Sequence, residues 1–129
     1  MPGSSIYVRR ADCRRRDTPI ALVVIEADQL TPDERTAFTL LSSRVGAALL
    51  PSPKQDEFAA LCRQHGRAFD QTAVIATTQH GLPLLLEAAV ALTLRGAGYE
   101  NEAAADVVFK PRSSGGLAAA IEYACRLVA

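Results

Sequence analysis

Two acids, Glu26 and Asp28, close the apolar run Leu22-Val23-Val24-Ile25; Thr77, Thr78 and His80 close a second run, Ala73-Val74-Ile75-Ala76. If the runs are neighbouring strands of a parallel sheet, Glu26, Thr78 and His80 converge at the strand ends, where α/β folds collect ligands. Glu26 is then a candidate acid/base group and Thr78 a candidate ligand-binding residue. His80 is a candidate proton carrier, because an imidazole changes charge near neutral pH. Asp28 has a plainer reading, as a local cap.

A third group of charges crowds the N-terminal stretch. Arg9, Arg10, Arg14, Arg15 and Arg16 lie there with Asp12 and Asp17. Guanidinium forks suit phosphate and carboxylate, so Arg14 and Arg16 are candidate anion ligands and Asp17 a candidate acid/base group. The alternative is a solvated loop or strand edge. One expectation is that the Arg14–Asp17 loop and His80 form a single small-molecule site. No metal site and no cofactor are expected. A hard divalent cation wants several oxygen ligands, and the arginines repel it from Asp12 and Asp17.

The remaining reactive side chains read as structural. His65 falls at a helix end, where a cation suits the helix dipole. Cys62 and Cys125 fall on apolar helix faces and are expected to be buried thiols. Cys13 sits among the arginines, which would lower its pKa. Three widely spaced cysteines without a Cys-x-x-Cys pair fit a reduced, cytoplasmic protein.

The elements that must carry these residues can be read from pattern. The 129 residues suit one domain, and an apolar fraction of 49% is enough for a core. No apolar run reaches the length of a membrane span, and the first residues lack the apolar stretch of a signal peptide. A net charge of zero gives no case for a nucleic-acid or membrane surface. Strands are expected at Ile6 to Val8, Ile20 to Ile25, Thr72 to Thr78 and Val107 to Phe109. Thr31, Pro32 and Glu34 mark a helix start with a capping box. That helix either continues to Ala48 or stops near Arg44, with Gly46 to Leu50 then a strand. Ser52, Pro53 and Gln55 start another helix, which presents Phe58, Leu61 and Cys62 inward and ends at Gly66. A helix is predicted from Pro83 to about Arg95, a loop from Gly98 to Ala105, and a last helix from Ser114 to Val128. The fold class is α/β: a single layered domain spanning residues 1–129, a mixed sheet with helices packed on it.

Several short segments carry a resemblance. They are Leu22 to Pro32, Ala37-Phe38, Gly46 to Leu50, Ala68-Phe69, Thr72 to Gly81, and Val108 to Arg112 followed by Gly115-Gly116-Leu117. In order and spacing they resemble 3,4-dihydroxy-2-butanone 4-phosphate synthase, an enzyme of the riboflavin pathway. The resemblance implies that family's α/β fold and a homodimer with sites near the subunit interface. The family's chemical motifs are missing. Its acidic metal loop reads Asp12-Cys13-Arg14-Arg15-Arg16-Asp17-Thr18 here, its threonine phosphate loop reads Leu82-Pro83, and Ala118-Ala119-Ala120 stands where its metal-binding histidine belongs.

The function expected on this footing is metal-independent, lyase- or isomerase-like chemistry on a small anionic or polar metabolite, or binding of one. Asp17, Glu26 and His80 are its candidate catalytic residues; Arg14, Arg16 and Thr78 its candidate ligand contacts. Two alternatives stand beside it. One is an inactive scaffold or binding protein of the same fold. The other is a pseudo-receiver signalling domain, from the Lys110-Pro111 pair before the last helix.

Overall fold

The computed structural model describes residues 6–8, 20–51, 55–66 and 69–128. Its six strands are β1 (Ile6–Val8), β2 (Leu22–Glu26), β3 (Gly46–Leu50), β4 (Thr72–Ala76), β5 (Val90–Leu94) and β6 (Val107–Phe109). Its helices are α1 (Pro32–Ser42), α2 (Gln55–Gln64), α3 (Leu82–Glu87), α4 (Tyr99–Ala104) and α5 (Gly116–Leu127). The strands form one sheet in the order β1-β6-β5-β4-β2-β3. β1 runs antiparallel to β6, and the other pairings are parallel. The mixed α/β sheet expected from the sequence is the one observed.

β2 and β4 are buried along their whole length because helices cover both faces of the sheet. Side chains alternate between the faces. Val23, Ile25, Ala73 and Ile75 meet Ala37 and Leu41 of α1 and Leu117, Ile121 and Ala124 of α5. Leu22, Val24, Val74 and Ala76 meet Phe58 and Cys62 of α2 and Leu84 and Leu85 of α3.

Local signals place several element ends. The Thr31 hydroxyl accepts from the Glu34 N–H, and the Glu34 carboxylate accepts from the Thr31 N–H, so the capping box is formed. α1 ends at Ser42 and leaves Gly46 to Leu50 as a strand paired with β2. Gly66 has a φ of +67°, the left-handed conformation expected after α2.

Two expectations fail downstream. The helix predicted from Pro83 to Arg95 stops at Glu87, and Val90–Leu94 is β5. Ala88 turns extended with ψ 151°, and the Ala89 N–H donates to the Thr72 carbonyl, handing the chain to the sheet. Residues 88–94 are nearly all apolar because β5 lies between β4 and β6, and such a run carries no period to separate strand from helix. The loop predicted from Gly98 to Ala105 contains α4. Asn101 anchors this short helix, fully buried, with its amide donating to the Thr78 carbonyl at 2.7 Å.

The connectivity defines one distinctive place. β2 leads through α1 to β3 on one side, and the chain then returns past β2 to β4 on the other. The crevice outside the carboxyl ends of β2 and β4 is therefore a topological switch point, the usual ligand position in open α/β sheets.

Candidate functional site at the strand ends

β2 delivers Glu26 to this crevice, and the turn after β4 delivers Thr77 and Thr78. The registers of β2 and β4 match residue for residue, with Glu26 beside Ala76. The Glu26 side chain therefore meets the two residues that follow. Its Oε1 accepts from the Thr77 and Thr78 N–H groups, each at 2.9 Å, and its Oε2 accepts from the Thr78 hydroxyl at 2.9 Å. The Thr77 hydroxyl donates to the Glu26 carbonyl at 2.7 Å. Glu26 is only 2% exposed.

The turn is braced from behind. The Thr78 hydroxyl accepts from the His80 N–H at 3.2 Å, and the Thr78 carbonyl accepts from Asn101. Gly81 lies directly over Glu26. A Cβ at that position would stand 2.6 Å from the Ala76 Cβ and 3.0 Å from Glu26 Oε1. Only a residue without a side chain lets the turn close so tightly on the carboxylate.

A second cluster flanks the first. Arg112, from the 3-10 turn Arg112–Ser114 before α5, reaches the start of α1. Its Nε donates to Glu34 Oε2 at 3.0 Å, and its NH2 group donates to Glu34 Oε1 at 2.8 Å and to the Gln29 carbonyl. Burial, the largest influence on Glu34, pushes its carboxyl up. The Arg112 fork and the Thr31 hydrogen bonds outweigh it and hold Glu34 below the usual carboxylate range. On Arg112 the Glu34 hydrogen bonds act most strongly and raise its pKa, with the charges of Asp28 and Glu26 adding to them. Asp28, Gln29, Leu30, Thr31 and Arg112 line an open depression beside the crevice.

Of the residues singled out in the sequence, Glu26 and Thr78 come together as direct partners. His80 is adjacent through its backbone only, and its side chain is exposed. Arg14, Arg16 and Asp17, and with them the expected Arg14–Asp17 loop, lie outside the described residues, as does Cys13. Cys62 and Cys125 are buried. Burial pushes the Cys62 thiol up, against a weaker opposing contact with the Thr72 hydroxyl. Sequence reasoning did not assign Arg112, Asn101 or Gly81 to this region. Arg112 was visible only as a basic residue ahead of Gly115-Gly116, and nothing local tied Asn101 to a turn 23 residues upstream.

No protein-family model and no curated protein matches the sequence. Solved structures do match the fold. The 3-deoxy-D-manno-octulosonate 8-phosphate phosphatase of Yersinia pestis superposes with a TM-score of 0.67 at 13% identity, over 88% of this chain and 83% of that one. The Moraxella catarrhalis phosphatase of the same name, solved with magnesium ion, phosphate ion and 3-deoxy-D-manno-octulosonate (KDO), gives 0.66 at 11% identity, over 88% and 90%. A hypothetical protein from Xanthomonas campestris gives 0.68 at 20% identity, over 99% and 91%. The chain therefore shares its fold with these phosphatases, and with a putative HAD family hydrolase from Streptomyces avermitilis.

This corrects the resemblance to 3,4-dihydroxy-2-butanone 4-phosphate synthase, and with it the riboflavin-pathway, lyase- or isomerase-like and metabolite-chemistry expectations. The matching segments were strand–cap–helix junctions. Many α/β folds share these, because any parallel strand pair needs such a crossover. The inactive synthase-fold and pseudo-receiver alternatives gain no better support.

The phosphatase fold raises the question of a divalent cation, since the Moraxella catarrhalis structure holds magnesium. The donor set at the present strand ends does not fit one. Both Glu26 oxygens are already engaged by N–H and O–H donors. Thr77 and Thr78 turn donors, not carboxylates, toward the crevice. Arg112 places a fixed positive charge within electrostatic reach of both Glu26 and Asp28. Among the described residues, no group of three or more His, Cys, Asp or Glu side chains is arranged to hold a metal ion. Among them, too, no helix is long and apolar enough to cross a membrane.

Proposed function

We propose that this chain is a pseudophosphatase, a phosphatase-fold protein that does not hydrolyse phosphate esters at its switch-point crevice. One observation carries the reading: three hydrogen bonds from its own neighbouring turn already fall on the crevice carboxylate, Glu26, out of the roughly four that a carboxylate can accept. A carboxylate acting on a phosphate ester, or holding a magnesium ion beside one, must present free oxygens. Here Glu26 is buried, and each oxygen already accepts from the turn.

The test is a phosphatase assay on the purified chain. The substrates are p-nitrophenyl phosphate and 3-deoxy-D-manno-octulosonate 8-phosphate, each with magnesium, manganese and cobalt. The expected result is no metal-dependent phosphate release above the blank. Release that disappears in both Glu26→Gln and Asp28→Asn would overturn the reading.

A second reading has its own observation. Asp28 is exposed and shares an open depression with the Arg112 guanidinium, so a carboxylate and an anion-binding fork lie side by side. That pair would support residual phosphate-ester chemistry centred on Asp28. It predicts release that is lost in Asp28→Asn and kept in Glu26→Gln.

A further inference from the structure

The geometry points to an oxyanion receptor at the Thr77–Thr78 turn, built for a small carboxylate and filled in this chain by Glu26; we propose that the chain is self-liganded there. The inference deepens the pseudophosphatase reading, and rests on it in treating Glu26 as a fixture of the crevice and not a reacting group.

Three donors define the receptor. Consecutive N–H groups of Thr77 and Thr78 converge on one oxygen, and the Thr78 hydroxyl takes the other, all at 2.9 Å. Successive backbone N–H groups aimed at one point form a concavity that suits an anion. Hydrogen bonds to an ionised acceptor are also the strong kind. The donors are held independently of the carboxylate. Thr77, directly after β4, is held by its hydroxyl on the Glu26 backbone carbonyl, the Asn101 amide fixes the Thr78 carbonyl, and the His80 N–H orients the Thr78 hydroxyl. Gly81 sets the roof, low enough that a planar carboxylate fits beneath it and a side chain there would not.

These features go beyond a strand-to-strand tie. A tie needs one bond across the gap; this turn presents three donors to the two oxygens. The backbone pairing of β2 with β4 also continues to the turn without the side chain, through the Thr77 N–H and the Glu26 carbonyl at 3.3 Å. Removing the glutamate beyond Cβ should therefore leave a preformed, empty receptor of acetate size.

The experiment uses Glu26→Ala in the full chain, with thermal unfolding followed in sodium acetate and in sodium chloride at matched ionic strength. Acetate is expected to raise the melting temperature of Glu26→Ala by several degrees over chloride. Wild type and Glu26→Gln should not respond, because their receptors are filled. Adding Thr78→Val to Glu26→Ala should shrink the acetate effect. If Glu26→Ala does not fold alone, acetate-dependent gain of helical circular dichroism reads the same equilibrium, since a ligand that binds only the folded state pulls folding toward itself. The proposal is overturned if acetate and chloride act alike on Glu26→Ala, if acetate stabilises wild type equally, or if inorganic phosphate rescues and acetate does not. The outcome is separable from the pseudophosphatase test, which measures turnover by the wild-type chain.

Discussion

Arg112 and Glu34 show how much one pair of side chains can organise. Glu34 caps α1 and is 4% exposed at its side chain; Arg112 is 34% exposed and arrives from the other end of the sequence. Their two parallel hydrogen bonds fix the α1 start against the turn before α5. Because Glu34 is held below its ordinary value of 4.5, the folded state favours its ionised form. The stabilisation it contributes is present above that ordinary value and is lost as pH falls through the lower, folded-state value. Thermal unfolding scanned from neutral pH to about pH 3 should therefore show wild type losing its advantage over Glu34→Gln at the acid end. A difference independent of pH would contradict the linkage. Arg112→Lys keeps the charge and loses the planar fork, so it should cost about 1–3 kcal/mol, readable by chemical denaturation at neutral pH.

At the scale of elements, the start of α5 is the tightest junction. Gly115 adopts φ +84°, and Gly116 follows against the backbone of Lys110 and Pro111. A Cβ on Gly116 would stand 1.8 Å from the Lys110 carbonyl oxygen. No rotamer relieves a clash with backbone, so α5 must move away from β6 to accept one. Gly116→Ala is expected to destabilise the chain by about 1–3 kcal/mol or more, as overpacked sites do. Ala118→Ser, on the same helix and partly exposed, should stay within about 0.5 kcal/mol. Equal melting temperatures for the two variants would show that the junction is looser than its geometry implies. The tightness also serves the site, since it fixes the turn that carries Arg112.

Over the whole molecule, burial is deepest in β2 and β4 and thins toward β3, whose residues are all partly exposed. These two strands also supply Glu26 and the turn that holds it. Stability and the candidate site therefore share one scaffold. Amide hydrogen exchange should be slowest in Val23 to Ile25 and Ala73 to Ile75 and faster in β3, because strands buried along their whole length open only with global unfolding. Ile75→Ala, fully buried, should cost about 2–5 kcal/mol and speed exchange in β2 and β4 together. Exchange that rose in β4 alone would separate the strands into different cooperative units.

The sequence by itself determined what is local. The Thr31–Glu34 capping box, the stop at Gly66 and the β-branched run of β4 were legible because each depends on residues a few positions apart. So was the layered α/β class, which follows from alternating apolar runs and capped helices. It also brought Glu26, Thr78 and His80 under suspicion, on the condition that β2 and β4 pair in parallel. Tertiary structure decided that condition, and then decided more. It turned Val90 to Leu94 from part of an expected helix into an interior strand, because burial on both faces erases the period that separates the two. It showed Glu26 hydrogen-bonded to the turn it was expected to work beside. It brought Arg112 to Glu34 and Asn101 to Thr78 across separations no local pattern encodes. Short junction motifs pointed to the wrong family for the same reason: they report how a strand meets a helix, whereas the order of strands in the sheet, set by packing over the whole chain, separates one α/β fold from another.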